Sequence, residues 1–487
     1  MSKVAAVIGG GVIGGGWAAR FLLNGWDVQV YDPDPQAERK IGEVMANARR
    51  SLPGLTDVAL PAEGELRFCA SIAEAVAGAE WIQESVPERL EIKHATFAEV
   101  QATCARDAVI GSSTSGFKPS ELQQGAARPG QIMVAHPFNP VYLLPLIELV
   151  PGDAGEEALV ERAKATLTSL GMHPLHLKKE IDAHVADRFL EAVWREALWL
   201  VKDGIATTEE IDDAIRYGFG IRWAQMGLFE TYRVAGGEAG MKHFMAQFGP
   251  ALKWPWTKLM DVPEFNEELV DLIAGQSDAQ SGHHSIRELE RIRDNNLVTM
   301  MRGLKAQNWG AGALLNAQEK LMRADEPAAA DLSADQLVRT ARRTVPLDWT
   351  DYNGHMTESR YLHAFADATD RFMEIIGCDA DYIQSGGSYF TAETHIRHLD
   401  EVHAGAVIEI ETQVIMGEGK KMHLFHTMRE GERVLATGEH FLLHVSLETR
   451  KPSAPSPEIE ANLVRFAQGH ARLPKPEGLG RAIGAVR

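Results

Sequence analysis

Residues 3–17 read KVAAVIGGGVIGGGW, a short apolar run that ends in Gly9-x-Gly11-x-x-Gly14 and continues straight into a helical pattern. A second apolar run, DVQVYD, ends in Asp32. Strand, glycine turn, helix and a second strand closed by an acid make the βαβ grammar of a dinucleotide site. Gly9 permits the tight turn, Gly11 lets backbone approach a pyrophosphate, and Gly14 lets the helix pack closely on the strand. Val12 and Ile13 open the helix, whose N-terminus turns its unpaired N–H groups toward the phosphates. Asp32 selects the nucleotide, because a carboxylate there accepts hydrogen bonds from ribose hydroxyls and repels a 2′-phosphate. Pro33, Asp34 and Pro35 follow and the first base is Arg39, so the expected cofactor is NAD rather than NADP.

At 487 residues the chain is long for one domain, and two or three are expected. A net charge of −19 argues against nucleic acid or an anionic membrane as partner. Cys69, Cys104 and Cys378 are too widely spaced for a disulfide framework or a zinc motif, so no metal is expected and a reduced, cytoplasmic setting fits. The first strand begins near residue 3, which leaves no room for a signal peptide, and no apolar stretch reaches membrane-spanning length.

Three grammars succeed one another. Residues 1–184 alternate strands (LRFCAS, WIQESV, AVIGSST, IMVAHPF, LIELV) with helical stretches, the doubly wound α/β pattern of a Rossmann domain. Residues 185–322 read as helices only. An Ala-, Asp- and Pro-rich segment at 323–336 is expected as a linker. Residues 337–451 then carry one amphipathic helix, ESRYLHAFADATDRFMEIIG, followed by four long alternating runs joined by GEGK and EGER turns. That is an α+β domain with an antiparallel meander. The Pro-, Ala- and Gly-rich residues 452–487 are expected as an extended tail.

Beyond the glycine turn, HPFNP presents His136, LIELV carries Glu148, and SSTSG supplies Ser115. Oxidising a hydroxyl needs a base for its proton as hydride leaves, and histidine titrates near neutral pH. A buried carboxylate on the far ring nitrogen would set its tautomer. From the residues alone, His136 reads equally as a hydrogen-bonded strand-end histidine and Glu148 as a structural acid.

GGGVIGGG, SSTSG, HPFNP and IELV in this order resemble the L-3-hydroxyacyl-CoA dehydrogenase superfamily over about residues 1–320. The resemblance implies His136 as catalytic base, Glu148 as its orienting acid, Ser115 on the substrate hydroxyl, and Glu88 and Lys93 near the nicotinamide ribose. One departure is Asp187, in IDAHVADRF, where that family has Asn; His184 replaces an aromatic. The segment FGIRWAQMGLFETY looks more like the branch acting on free hydroxy acids, where Arg222 would pair with a substrate carboxylate. Trp223 joins Trp194, Trp199, Trp254 and Trp256 in this stretch, and aromatic faces with an acid such as Asp187 suit a quaternary ammonium.

DWTDYNGHMTESRYLHAF resembles the hot-dog thioesterases of the 4-hydroxybenzoyl-CoA type, which implies Asp351 as the catalytic carboxylate, with Asn353 and His355 as weaker candidates. A dehydrogenase of the first kind fused to a hot-dog domain is similar to the bifunctional L-carnitine dehydrogenase/betainyl-CoA thioesterases. That likeness implies L-carnitine and an acyl-CoA thioester as substrates, and a homodimer, since both folds homodimerise. Two alternatives stay open at this point: a 3-hydroxyacyl-CoA dehydrogenase with an acyl-CoA thioesterase, and an L-gulonate-like dehydrogenase with a non-catalytic hot-dog module.

Overall fold

The computed structural model describes residues 3–483 except 236–237, 239, 249, 251–254, 259–260, 262–263, 265 and 324–331. Two compact units are present: residues 1–52 with 61–318, and residues 53–60 with 319–487. Most of residues 1–184 and 185–322 thus falls in the first unit, while residues 53–60 and 319–322 belong to the second.

The first unit opens with β1 (Val4–Ile8), α1 (Val12–Leu22), β2 (Asp27–Tyr31), α2 (Ala37–Ser51), β3 (Leu66–Phe68), α3 (Ile72–Ala75), β4 (Trp81–Glu84), α4 (Leu90–Thr103), β5 (Val109–Ser112), α5 (Pro119–Leu122), β6 (Ile132–Pro137), β7 (Leu146–Val150), α6 (Glu157–Ser169) and β8 (His173–His176). The strands form one sheet in the order β3-β2-β1-β4-β5-β6-β7-β8. The central strands β4, β5 and β6 are buried throughout, as expected where helices cover both faces of a largely parallel sheet. Trp17, Phe21 and Trp81 are fully buried against it, and such burial stabilises by about 1.5–3 kcal/mol per large side chain. β8, with its sequence HPLH, carries no strand signal in its composition and is recruited by pairing with β7. β6 and β7 are antiparallel, the one such pair in this sheet among the described residues, and that reversal sets His136 opposite Glu148.

Helices α7 (Ala186–Lys202), α8 (Thr208–Ala214), α9 (Gly220–Ala235), α10 (Gly240–Phe248), α11 (Glu267–Ser281), α12 (Ile286–Lys305) and α13 (Ala311–Arg323) follow. Their apolar faces are poorly covered. α7 buries only Leu198 and Val201, while Phe189, Leu190 and Trp194 are each more than half exposed.

The second unit contains β9 (Val338–Thr344), α14 (Glu358–Ile375), α15 (Ala380–Gln384), β10 (Gly387–His398), β11 (Val407–Glu418), β12 (Lys421–Glu430), β13 (Arg433–Ser446) and α16 (Pro457–His470). The antiparallel sheet runs β10-β13-β12-β11-β9, and α14 lays Phe365, Ala368 and Phe372 on it. Gly438 permits that approach, since a Cβ there would sit 2.8 Å from the Phe365 ring. The RTVPLDW stretch is a strand only to Thr344, and Leu347–Trp349 is a single tight turn.

Two expectations need correction here. Residues 457–470 are not an extended tail: Ser456 caps the helix, Pro457 starts it, and Ile459, Leu463 and Phe466 at helical spacing are buried in the hot-dog core. Of the expected linker, residues 324–331 lie outside the described residues, but Leu332 and Ala334 pack on that core.

Candidate active sites

The β6–β7 register places His136 opposite Glu148, and His136 Nδ1 lies 3.0 Å from Glu148 Oε2. The other oxygen, Oε1, accepts the backbone N–H groups of Val185 at 2.8 Å and Ala186 at 2.9 Å. These amides open α7, where a carboxylate is favoured by the helix dipole. Burial pushes the Glu148 carboxyl up, but the bonds from His136, Ala186 and Val185 outweigh it and hold the group below its ordinary value. Glu148 is therefore ionised at neutral pH and only accepts, so His136 Nδ1 carries the proton and Nε2 presents a lone pair.

By seating α7, Glu148 also delivers Asp187, in the first helical turn, to the Nε2 side of His136 at 3.6 Å. That separation is too long for a hydrogen bond. Burial pushes the Asp187 carboxyl up, His136 pulls it down, and Glu148 adds to the rise. His184 is buried beside them, its ring 5.5 Å from that of His136. Its Nε2 donates to the Thr114 carbonyl at 3.2 Å, and burial lowers its basicity. Ala183 and His184 both adopt positive φ, 59° and 49°, a sparsely populated conformation for residues other than glycine. This turn swings the chain from the sheet into α7.

Ser115 is exposed on the SSTSG turn beside Thr114, and no hydrogen bond joins it to His136 among the described residues. Thr114 Oγ1 donates to Glu88, and Lys93 Nζ reaches Glu88 at 3.1 Å. Lys93 is nonetheless buried, with Nζ 2.9 and 3.1 Å from the oxygens of buried Glu84. Burial pushes the Glu84 carboxyl up and Lys93 opposes it. Lys93 is thus the counter-ion of two acids rather than a free cation.

The glycine turn fits a dinucleotide. A Cβ on Gly14 would stand 1.8 Å from the Gly9 carbonyl oxygen, whereas one on Gly11 would meet nothing within 4 Å. Gly14 is therefore required by packing, while Gly11 leaves open backbone at the start of α1, flanked by exposed Val12 and half-buried Ile13. Asp32 accepts the N–H groups of Gly10 at 2.5 Å and Asp34 at 2.7 Å, and a carboxylate has further lone pairs for ribose hydroxyls.

On the helical side, Trp223 packs on Phe219 with ring centroids 4.6 Å apart. It lines a cavity of about 520 Å³ with Leu190, Glu191 and Trp194 of α7. Trp194 lies seven positions beyond Asp187 on the same helix face. Arg222 is exposed on α9. Trp199 is already covered by the ammonium groups of Lys202 and Lys258, at 4.7 and 4.1 Å. Trp256 is exposed, and Trp254 lies outside the described residues.

In the hot-dog unit, Asp351 sits in a tight turn before α14. Its Oδ1 accepts the backbone N–H groups of Asn353 at 2.8 Å and His355 at 3.3 Å. Gly354, at φ 79°, closes that turn. A cavity of about 880 Å³ lies at the start of α14, between Glu358, Ser359 and Leu362 and β10 residues including Arg397.

Comparison with known proteins agrees with this architecture. Residues 4–181 match the NAD-binding domain of 3-hydroxyacyl-CoA dehydrogenase, residues 184–267 its C-terminal domain, and residues 345–463 the thioesterase-like superfamily. The L-carnitine dehydrogenase/betainyl-CoA thioesterase of Ruegeria pomeroyi is 74% identical over 482 residues, covering 98% of this chain and 99% of that one. The chain belongs to the L-carnitine dehydrogenase/betainyl-CoA thioesterase family. Its counterpart in Agrobacterium fabrum is 57% identical over 486 residues, covering 100% of this chain and 99% of that protein. The crystal structure of 5-formyl-3-hydroxy-2-methylpyridine 4-carboxylic acid 5-dehydrogenase, described as an NAD+-dependent dismutase, superposes with TM-score 0.55. It is 27% identical and covers 63% of this chain and 99% of that one. In this bifunctional family the cofactor is NAD. No helix among the described residues is long and apolar enough to cross a membrane.

Sequence reading missed Glu84 and Thr114. A glutamate closing a fully buried strand, WIQE, was the available signal for the first, because a buried acid demands a partner. Thr114 stood within SSTSG without a sign of which hydroxyl would turn inward.

Proposed function

We propose that the first unit oxidises the C3 hydroxyl of L-carnitine to 3-dehydrocarnitine with NAD, and that the second hydrolyses betainyl-CoA to glycine betaine and CoA. The observation that carries the first half is the ionised Glu148 on His136 Nδ1, which leaves Nε2 as the proton acceptor. Bound NAD supplies the hydride acceptor. His136 Nε2 takes the hydroxyl proton, and Glu148 stabilises the imidazolium that results. Ser115 is assigned to the substrate oxygen, and Glu88, held by Lys93 and Thr114, to the nicotinamide ribose. Gly9, Gly11, Val12, Ile13, Gly14 and Asp32 hold the adenosine and pyrophosphate end.

Asp187 supports a cationic substrate. It stands on the side of His136 from which the hydroxyl approaches, and a carboxylate about 4 Å from a cation is worth up to about 4 kcal/mol at an effective dielectric near 20. Trp223 and Trp194 offer aromatic faces to the trimethylammonium group further along the same helix face, and Arg222 is assigned to the substrate carboxylate. In the second unit Asp351 attacks the thioester carbonyl or activates water, and the amides opening α14 polarise the carbonyl. Arg397 gives the adjacent cavity a positive charge suited to CoA phosphates. The exposed apolar residues of α7 and α9, among them Phe189, Leu190 and Phe229, support a homodimer.

The test is a substrate panel: NAD reduction with L-carnitine, D-carnitine, L-gulonate and an L-3-hydroxyacyl-CoA, and thiol release from betainyl-CoA. Turnover with L-carnitine and with betainyl-CoA is expected. Turnover with the hydroxyacyl-CoA alone would remove the carnitine reading, and absence of thiol release would leave the hot-dog unit as an assembly module.

A further inference from the structure

Among the described residues, one group of metal-ligating side chains gathers apart from His136: His355, Glu401 and His403. They come from the turn that carries Asp351 and from the loop between β10 and β11. A backbone bridge between His355 and His403 pins the two segments together, and the two imidazoles lie 4.6 Å apart. One ligand atom from each of the three lies within 4.8 Å of the others.

The hydrogen bonding fixes which atom of His403 is available. Its Nδ1 is 3.0 Å from the Gly354 carbonyl oxygen, which can only accept, so Nδ1 carries the proton and Nε2 the lone pair. An imidazole anchored through one N–H on a carbonyl, with its other nitrogen unprotonated, is the arrangement of metal-bound histidines. His355 Nδ1 is 3.4 Å from Glu401 Oε2. That is longer than a direct hydrogen bond of about 2.7–3.2 Å. It is close to the ~3.3 Å that separates two ligands of one tetrahedral cation held at about 2.0–2.1 Å. Both side chains are solvent-accessible, 33% and 58% exposed, so an ion can enter and the ligands can close on it.

We propose that His355, Glu401 and His403 form a site for a divalent cation of the zinc class, which clamps the Asp351 turn to the β10–β11 loop. Two imidazoles and one carboxylate suit zinc, whereas magnesium and calcium prefer all-oxygen shells. Three protein ligands leave a fourth position to water. Because the His355 amide donates to Asp351, closing the ligands on an ion steadies the turn that orients that carboxylate.

The experiment is calorimetric titration of the metal-free full chain with zinc chloride, with magnesium chloride as the comparison. One zinc site per chain is expected, absent for magnesium and weakened at least tenfold in His355→Gln, Glu401→Gln and His403→Gln. Thermal melts of the metal-free variants check folding, and cobalt(II) substitution gives an independent readout, a tetrahedral visible band lost in His403→Gln. The adjacent rings of His283 and His284, 4.1 Å apart, are the competing locus, and replacing both with Gln leaves the titration unchanged. Equal zinc affinity in the parent and His403→Gln, loss of the site in the His283/His284 variant, or parent binding weaker than about 100 μM would overturn the proposal.

Discussion

Replacing Glu148 by Gln separates the two tasks of this carboxylate. The glutamine oxygen can still accept the Val185 and Ala186 amides, now at 2.8 and 2.9 Å from Oε1, so α7 stays seated. The loss there is the charge on two amide bonds and the helix dipole, about 1–2 kcal/mol of stability. On the other side, the side-chain NH2 faces His136 Nδ1, now 3.0 Å from an acceptor oxygen. Two donors cannot share that contact, so the imidazole moves its proton to Nε2 and Nδ1 becomes the acceptor. The base then has no lone pair toward the substrate. In His–acid dyads this tautomer trap costs about 10⁴ in kcat, or about 5 kcal/mol. The assay is steady-state NADH formation with saturating L-carnitine, beside NAD affinity by fluorescence. The expected result is a kcat reduced by about 10³–10⁴ with NAD affinity retained. A Glu148→Gln enzyme that keeps a tenth or more of the parent kcat would refute the tautomer argument.

Other outcomes follow from the same geometry. Gly11→Ala meets no atom within 4 Å, so its melting temperature should match the parent while NAD affinity falls at least about tenfold. Gly14→Ala places a methyl 1.8 Å from a carbonyl oxygen and should destabilise the fold by about 3 kcal/mol or more; equal effects of the two on stability would contradict this. Burial holds the His440 imidazole down to about 4 from its ordinary 6.5, and buried His426 is lowered as well. The unfolded chain therefore binds protons that the fold excludes, and stability drops as pH falls from 6.5 toward 4, by about 3 kcal/mol for His440 alone. Urea melts across that range should show the loss, and His440→Leu should reduce it while leaving the part due to His426. Asp351→Asn preserves acceptors for the turn amides but removes the anion, so thiol release from betainyl-CoA should fall by about 10² or more. The dehydrogenase rate serves as the folding control, and hydrolysis within twofold of the parent would exclude Asp351 from the chemistry.

The α/β alternation, the glycine turn with Asp32, the helical middle and the helix-plus-meander end are local patterns, carried by periodicity and short motifs. HPFNP and IELV likewise present His136 and Glu148 as short strings, but from the residues alone these read equally as structural groups, and their pairing is implied only by the family resemblance. Other features depended on chain segments meeting in space. The antiparallel β6–β7 pair is what turns two separate residues into a dyad, and no local preference announces the direction of a strand. The family resemblance places Lys93 near the nicotinamide ribose, and the fold buries it between Glu84 and Glu88, because desolvating an acid at a strand end demands a counter-ion. The residues after 452 looked like a tail by composition, yet α16 is held by the sheet it covers. Glu401 and His403 meet His355 only because a bridge joins two loops nearly fifty residues apart. Period and short motifs thus determine which elements form and which cofactor is bound. Strand direction, burial of charge and loop-to-loop contact decide what each polar group faces, since these depend on the free energy of removing it from water in one particular packing.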